Sequence, residues 1–194
     1  MLNPTALPGL QIFKDFIPID LHDAFVRQMR LGISEQNKGH YDGYSFVDDR
    51  AFDSAFVPLI EYTFAQLKQM QVFKNGIDKT IKLGCSIVGY KKDGYINRHI
   101  DSALLSGDTV VVLSFASPVV INFYSENDHS LPVQKFFIPP RALYVMADKI
   151  RYEWSHEIKP DECTYQGQKF RRGTRYSLLL FEPNVQYQGD LLSY

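Results

Sequence analysis

At 194 residues with 45% apolar and 22% charged side chains, the chain has room for one domain of ordinary size with a substantial core. Lys plus Arg (21) nearly balance Asp plus Glu (22), so the formal charge of −1 excludes a whole-molecule field that draws in nucleic acid or an anionic membrane; any such partner must be met by a local patch. Cys85 and Cys163, 78 positions apart, fit neither a disulfide framework nor a zinc knuckle and point to a reducing, intracellular compartment, cytoplasmic or nuclear. The N-terminus, MLNPTALPGLQIF, has no basic region followed by a long apolar run, and no stretch of about 18 apolar residues occurs, so neither a signal peptide nor a membrane span is expected.

Residues 20–31, DLHDAFVRQMRL, set Leu21, Phe25, Val26 and Met29 at helical spacing, with Asp20 as N-cap and Asp23 in the first turn, and predict an amphipathic helix. The stretch SEQNKGHYDGYSFVDDRAFD mixes Gly, Asp and aromatics without a sustained period and predicts a structured loop or short hairpin decorated by Tyr41, Tyr44 and Phe46. Residues 58–72, PLIEYTFAQLKQMQV, predict a second helix, with Pro58 at its first position and Leu59, Ile60, Phe64, Leu67 and Met70 on one stripe.

From residue 81 the texture changes to short runs rich in Val, Ile, Phe and Tyr: IKLGCSIVGYK, TVVVLSFA, VVINFYS, VQKFFIP, RALYVMA and TRYSLLLFEP, all predicted strands. Gly, Pro, Asn and Asp punctuate them roughly every ten residues, which points to an antiparallel sandwich or jelly roll rather than βαβ units. The fold class is mainly β (α+β), with the two N-terminal helices packed on one sheet. Every segment contributes apolar residues to one plausible core, so residues 1–194 read as a single domain.

Among five histidines, His99 lies two residues before Asp101, and His156 lies 55 residues after it. Positions i and i+2 of an extended segment point to the same face, so His99 and Asp101 can reach one ion together, with His156 arriving from a distant strand. Two His and one carboxylate describe the facial triad of a non-haem Fe(II) oxygenase. Taken alone, H-x-D arises often by chance, and a histidine near a strand end is commonly a hydrogen-bonded structural residue.

The surrounding segments VGYKKDGYINRHID, IPPRALYVMADKIRYEWSHEI and RRGTRYSLLLF, in that order over residues 85–183, resemble the AlkB group of 2-oxoglutarate and Fe(II)-dependent dioxygenases, which dealkylate nucleic acids. The resemblance implies a double-stranded β-helix (jelly roll) at 81–183, with residues 1–80 as helical support and substrate lid. His99, Asp101 and His156 are then the iron ligands and catalytic centre. Arg175 is the anchor for the distal carboxylate of 2-oxoglutarate, a task suited to a rigid, permanently charged guanidinium. Tyr90, nine residues before His99, and Ser177, two after Arg175, are implied hydrogen-bonding partners of that co-substrate. Fe(II), 2-oxoglutarate and O₂ are the expected cofactors, and a monomer is the expected state.

The sequence departs from the group at two places. Phe181 stands where a second arginine is usual, and Val88 where Asn is frequent; Arg171 and Arg172 are nearby cations that could compensate or form a solvated basic turn. The reaction implied by the resemblance is oxidative demethylation of N-alkylated bases in DNA or RNA, with succinate and CO₂ as co-products and formaldehyde leaving. Such a methyl is reached only on a single strand or a flipped base, which calls for aromatic walls and a basic rim. Tyr41, Tyr44 and Phe46 in the lid region, and Lys91, Lys92 and Arg98 beside the iron motif, with Lys169, Arg171 and Arg172, are the candidates for those roles. Tyr152 and Trp154 read as packing rather than substrate stacking. Two alternatives stay open: an oxygenase of another substrate (a tRNA wobble-uridine side chain, a protein or a lipid), and a non-catalytic binding protein that kept the fold.

Overall fold

The computed structural model describes residues 3–4, 7–32, 44–47, 56–73, 84–103 and 106–183. In chain order its elements are β1 (Asn3–Pro4), β2 (Leu10–Phe13), α1 (Ile19–Gly32), β3 (Tyr44–Val47), α2 (Val57–Gln69), β4 (Gly84–Tyr90), β5 (Ile96–His99), β6 (Ser106–Phe115), β7 (Val119–Ser125), β8 (Gln134–Ile138), β9 (Leu143–Ala147), α3 (Asp148–Glu153), β10 (Trp154–Ile158), β11 (Thr164–Tyr165), β12 (Gln168–Lys169) and β13 (Arg175–Pro183). A major sheet in the order β1-β2-β9-β6-β13-β4-β3 faces a minor sheet in the order β5-β10-β7-β8, and β11 and β12 form a small hairpin. All pairings within these sheets are antiparallel.

Strand periodicity divides the apolar residues of the major sheet between two cores. On one face Val111, Leu113 and Phe115 of β6, Leu143 and Val145 of β9, and Tyr176, Leu178 and Leu180 of β13 pack under Phe25, Val26 and Met29 of α1 and Leu59 and Leu67 of α2. The Phe25 and Phe115 rings stack with centroids 4.0 Å apart, tying α1 to the sheet centre. On the other face Val110, Val112, Tyr144 and Met146 meet Val119, Ile121 and Phe123 of β7, Ile138 of β8 and Ile158 of β10. The expected jelly roll with helices on one sheet is the observed architecture.

Local differences have local causes. Helix α1 begins at Ile19, so Asp20 sits in its first turn rather than capping it. Helix α2 stops at Gln69, three residues before the expected end, and Gln71 just beyond takes the left-handed φ of 53°. Within the stretch expected to be a structured loop or short hairpin, the described residues Tyr44–Val47 form the edge strand β3, paired with β4. Residues 34–43 and 48–53 of that stretch lie outside the described residues. Strand β2 approaches β9 through Gly9, at φ 89°, where a Cβ would sit 1.9 Å from the Ala147 carbonyl oxygen. The run RALYVMA ends at Asp148, whose φ of 54° breaks the strand and starts the short helix α3, an element the period gives no sign of.

Phe115→Ala should lower unfolding stability by about 3–5 kcal/mol, because it removes a fully buried ring from under α1. Chemical denaturation followed by circular dichroism checks this; a loss under about 1 kcal/mol would mean that α1 does not depend on that stack.

Candidate active site

Strand β5 lies beside β10 with His99 directly opposite His156, and residues opposite one another on antiparallel neighbours share a face. Their imidazole centroids are 4.4 Å apart. Asp101, two residues beyond His99, brings Oδ1 to 3.4 Å from His99 Nε2 and 3.9 Å from His156 Nε2. One ligand atom from each of the three lies within 4.8 Å of the others, a spacing that a single ion can bridge, and all three side chains are half-buried. The long-range pairing of β5 with β10 therefore completes the set that the sequence leaves 55 residues apart.

The electrostatics of this trio suit a cation. Burial pushes the Asp101 carboxyl up, but His156, His99 and the Arg151 charge outweigh it and hold the group down at about 2. Burial lowers the His156 imidazole to about 4 against the pull of Asp101, so it is neutral near pH 7, as a ligand must be. Burial also opposes a proton on His99, but hydrogen bonding to Asp101 and to the Asn97 carbonyl, 2.7 Å from Nδ1, raises it overall. Two neutral-capable imidazoles and an ionised carboxylate converging from one side are a donor set that fits Fe(II).

A second charged feature faces the same inter-sheet interior. On β13, Arg175 is opposite Tyr90 of β4, and Ser177 is opposite Val88 of β4 and Ser114 of β6. Arg175 is 2% exposed, with its guanidinium carbon 5.1 Å from the Tyr90 ring centroid and Nε 3.2 Å from Ser114 Oγ. Its Nη1 and Nη2 atoms are buried without a hydrogen-bond partner. The buried Tyr144 hydroxyl of β9 is nearby, pushed up by its burial and drawn back by the Arg175 charge. A buried guanidinium with two unmatched donors is costly unless a planar anion meets it, so this site fits a carboxylate of 2-oxoglutarate. Phe181 lies on the same face of β13 and packs among the inter-sheet apolar residues, and Val88 is buried there too.

The remaining candidates are distributed unevenly. Tyr44 and Phe46 occupy β3 positions in register with Tyr90 and Val88 of β4. Tyr41 lies outside the described residues. Lys91, Lys92, Lys169 and Arg171 are exposed. Arg98 points away from its neighbour His99, by strand alternation; its Nη2 is 2.5 Å from Glu126 Oε1, its Nε 2.6 Å from Ser155 Oγ, and its guanidinium lies over the Tyr124 ring. Arg172 is neither solvated nor a carboxylate anchor: it is buried, donating to the Lys159 and Pro160 carbonyls at 2.6 Å each and to the Gly94 carbonyl. Trp154 packs against the inter-sheet core as expected, whereas Tyr152 is exposed and donates to Asp108 at 2.6 Å.

Sequence reasoning missed Arg151, Ser114 and Tyr144. Arg151 carried a signal, the R-Y-x-W-x-H run, but nothing in it said what the arginine touches. Ser114 and Tyr144 are single polar positions in apolar strands, and only the strand order brings them to Arg175.

No protein-family profile matches the chain. Over 120 residues it is 29% identical to the bovine protein named alpha-ketoglutarate-dependent dioxygenase alkB homolog 7, mitochondrial, covering 61% of this chain and 54% of that one. Over 186 residues it is 35% identical to protein L905 of Acanthamoeba polyphaga mimivirus, covering 92% and 86% of the two chains. Over 175 residues it is 24% identical to tRNA (carboxymethyluridine(34)-5-O)-methyltransferase alkbh8 of Xenopus tropicalis, covering 82% and 26%. The chain thus spans about half the length of the bovine relative. Among solved structures, OsALKBH1 superposes with a TM-score of 0.54 at 17% identity, over 92% of this chain and 100% of that one. A prolyl hydroxylase from Trichoplax adhaerens superposes with a TM-score of 0.63 at 14% identity, over 96% and 87%. In sequence the chain is similar to AlkB-like 2-oxoglutarate/Fe(II) oxygenases, and in fold to the wider set of such oxygenases. Its paired histidines, Asp101 and buried Arg175 occupy one interior, to which Phe181 and Val88 add apolar side chains.

Arg172→Ala should lower stability by about 1–3 kcal/mol, because it strands three carbonyls that the arginine satisfies, yet leave 2-oxoglutarate affinity unchanged. Denaturation and calorimetric titration separate the two effects, and a tenfold loss of affinity would return Arg172 to the co-substrate site.

Proposed function

We propose that this protein is a Fe(II)- and 2-oxoglutarate-dependent dioxygenase that oxidatively demethylates N-alkylated bases in DNA or RNA. The observation that carries the reading is that the buried interior between the sheets holds both a three-ligand metal set and a guanidinium with two unmatched donors. His99, Asp101 and His156 would hold the metal, and the bound metal would supply the O₂ activation that couples decarboxylation of 2-oxoglutarate to hydroxylation of a C–H bond. Arg175 would bind the distal carboxylate, with Ser114 holding Nε so that the two Nη atoms stay available. Tyr90 covers the guanidinium face and Ser177 lies next to it on β13. Val88, Val112, Leu179 and Phe181 supply an apolar wall that keeps water from the reacting centre.

Recognition of a nucleic acid is supported by the family resemblance, by the tRNA in the amphibian relative's name, and by the placement of Tyr44 and Phe46 on the strand beside the one that carries Tyr90. Lys91, Lys92, Lys169 and Arg171 would then meet phosphates. No described helix is long and apolar enough to cross a membrane. One observation favours a second reading, an oxygenase of a protein or lipid substrate: Arg98 is spent on Glu126 and Ser155, which thins the basic rim.

The deciding experiment is anaerobic reconstitution with Fe(II) and 2-oxoglutarate, then air exposure with methylated single-stranded DNA and RNA oligonucleotides, reading succinate and oligonucleotide mass together. Loss of one methylene mass with matching succinate is expected. Succinate without a mass change would move the substrate elsewhere, and no succinate would overturn the oxygenase. In the same assay Arg175→Met should raise the half-saturating 2-oxoglutarate concentration at least about tenfold, since a charged hydrogen-bonded pair is lost. His99→Ala or Asp101→Ala should abolish metal-dependent succinate formation while circular dichroism shows the sheet intact.

A further inference from the structure

Arg151 is a large side chain buried to 2% exposure, and beyond the charge it sets near the Asp101 carboxyl it has a full set of hydrogen bonds of its own. It belongs to α3, five residues before His156, and its guanidinium turns toward the segment that follows His99. Nη1 donates to the Asp101 carbonyl at 2.7 Å, and Nη2 to the Ser106 Oγ at 2.6 Å, the Ser106 carbonyl at 3.0 Å and the Ser102 carbonyl at 3.2 Å. Nε donates to the Gly107 carbonyl at 3.2 Å. Ser106 in turn donates from Oγ to the Ser102 carbonyl at 3.0 Å and from its amide to the same carbonyl at 3.1 Å. Every donor nitrogen of Arg151 is thus aimed at the backbone between Asp101 and Gly107.

That backbone needs an external tie. Asp101 lies past the end of β5, where the ladder with β10 has stopped, and Ser106 is the first residue of β6. The β5–β10 pairing orients His99 and His156, but it gives Asp101 no ladder hydrogen bond to fix its backbone. A buried cation is costly to leave unmatched, so five directed hydrogen bonds from one rigid fork hold Asp101, Ser102, Ser106 and Gly107 in a fixed relation to one another. The same short element delivers His156 through β10, so one turn of chain carries one metal ligand and clamps the backbone of another.

We propose that Arg151 is the positioning residue of the metal site: it sets the Asp101 carboxylate against the two histidines and couples the β5 and β10 halves of the trio before any ion arrives. This rests on the metal-binding reading of His99, Asp101 and His156. Preorganisation of this kind shows in metal affinity, and loss of a group that supports a ligand typically costs 10–100-fold.

The test is calorimetric titration of the metal-free full chain with Mn(II), alongside thermal unfolding and amide hydrogen exchange. Arg151→Met should weaken Mn(II) binding at least about tenfold and speed exchange at residues 102–107 while β13 stays protected, and Arg151→Lys should recover part of the affinity. A folded Arg151→Met protein that melts earlier but binds Mn(II) as tightly as the wild type would overturn the proposal and leave a structural arginine only. Where Arg151→Met does not fold, Ser106→Ala removes the hydroxyl that accepts from Nη2 and donates to the Ser102 carbonyl, while leaving Arg151 in place; a loss of about threefold in Mn(II) affinity supports the proposal, and unchanged affinity overturns it. Failure of the wild-type chain to bind Mn(II) would overturn the metal reading itself, and this inference with it.

Discussion

The register of β13 between β4 and β6 is the constraint on which the rest of the molecule depends. This strand is buried on both faces: Tyr176, Leu178 and Leu180 look toward the helices, and Arg175, Ser177, Leu179 and Phe181 look toward the minor sheet. A slip of one residue would push the Arg175 charge under α1 and α2 and turn three large apolar groups into the inter-sheet interior. The flanking strands resist this, because Val111, Leu113 and Phe115 of β6 and Ile87 of β4 demand apolar partners on the helix side. Packing on one face thereby fixes where the cation stands on the other, and the helices, remote from the chemistry, act as the template that holds it.

Three buried arginines, Arg151, Arg172 and Arg175, differ in where their donors go. Arg151 and Arg172 end on backbone carbonyls, and each closes a loop that no strand pairing secures. Arg175 is as deeply buried, yet only its Nε is matched. Desolvating a guanidinium without hydrogen bonds is unfavourable by several kcal/mol, roughly, so a site that leaves two donors open is suited to a partner from outside the chain. Burial is common to the three; the destination of the donors separates them.

Much of the second half of the fold was legible because its runs are long, β-branched and separated by turn residues; VVINFYS maps onto β7 residue for residue. The short strands β2 and β5 and helix α3 were not, because LQIF and INRH are too short to show a period and DKIRYE depends on a left-handed Asp148. The ligand trio was legible from residue types and order. The ordinary surface reading of Arg98 and of Arg172 was the natural one, since a basic residue in a polar stretch says nothing about which oxygen lies opposite it.

Residue chemistry along the chain determined the strand-rich class, the H-x-D pair with its later histidine, and an arginine in the last long strand, because these depend on local spacing and side-chain type alone. Only the tertiary structure decided which of several basic residues keeps its donors open. The pairing of His99 with His156, the clamp of Arg151 on the Asp101 backbone, the capture of Arg98 by Glu126 and the open donors of Arg175 all join residues from different strands or loops. Hydrogen bonds act over about 3 Å, and what lies within that distance is set by strand order and register, which no single segment of sequence contains.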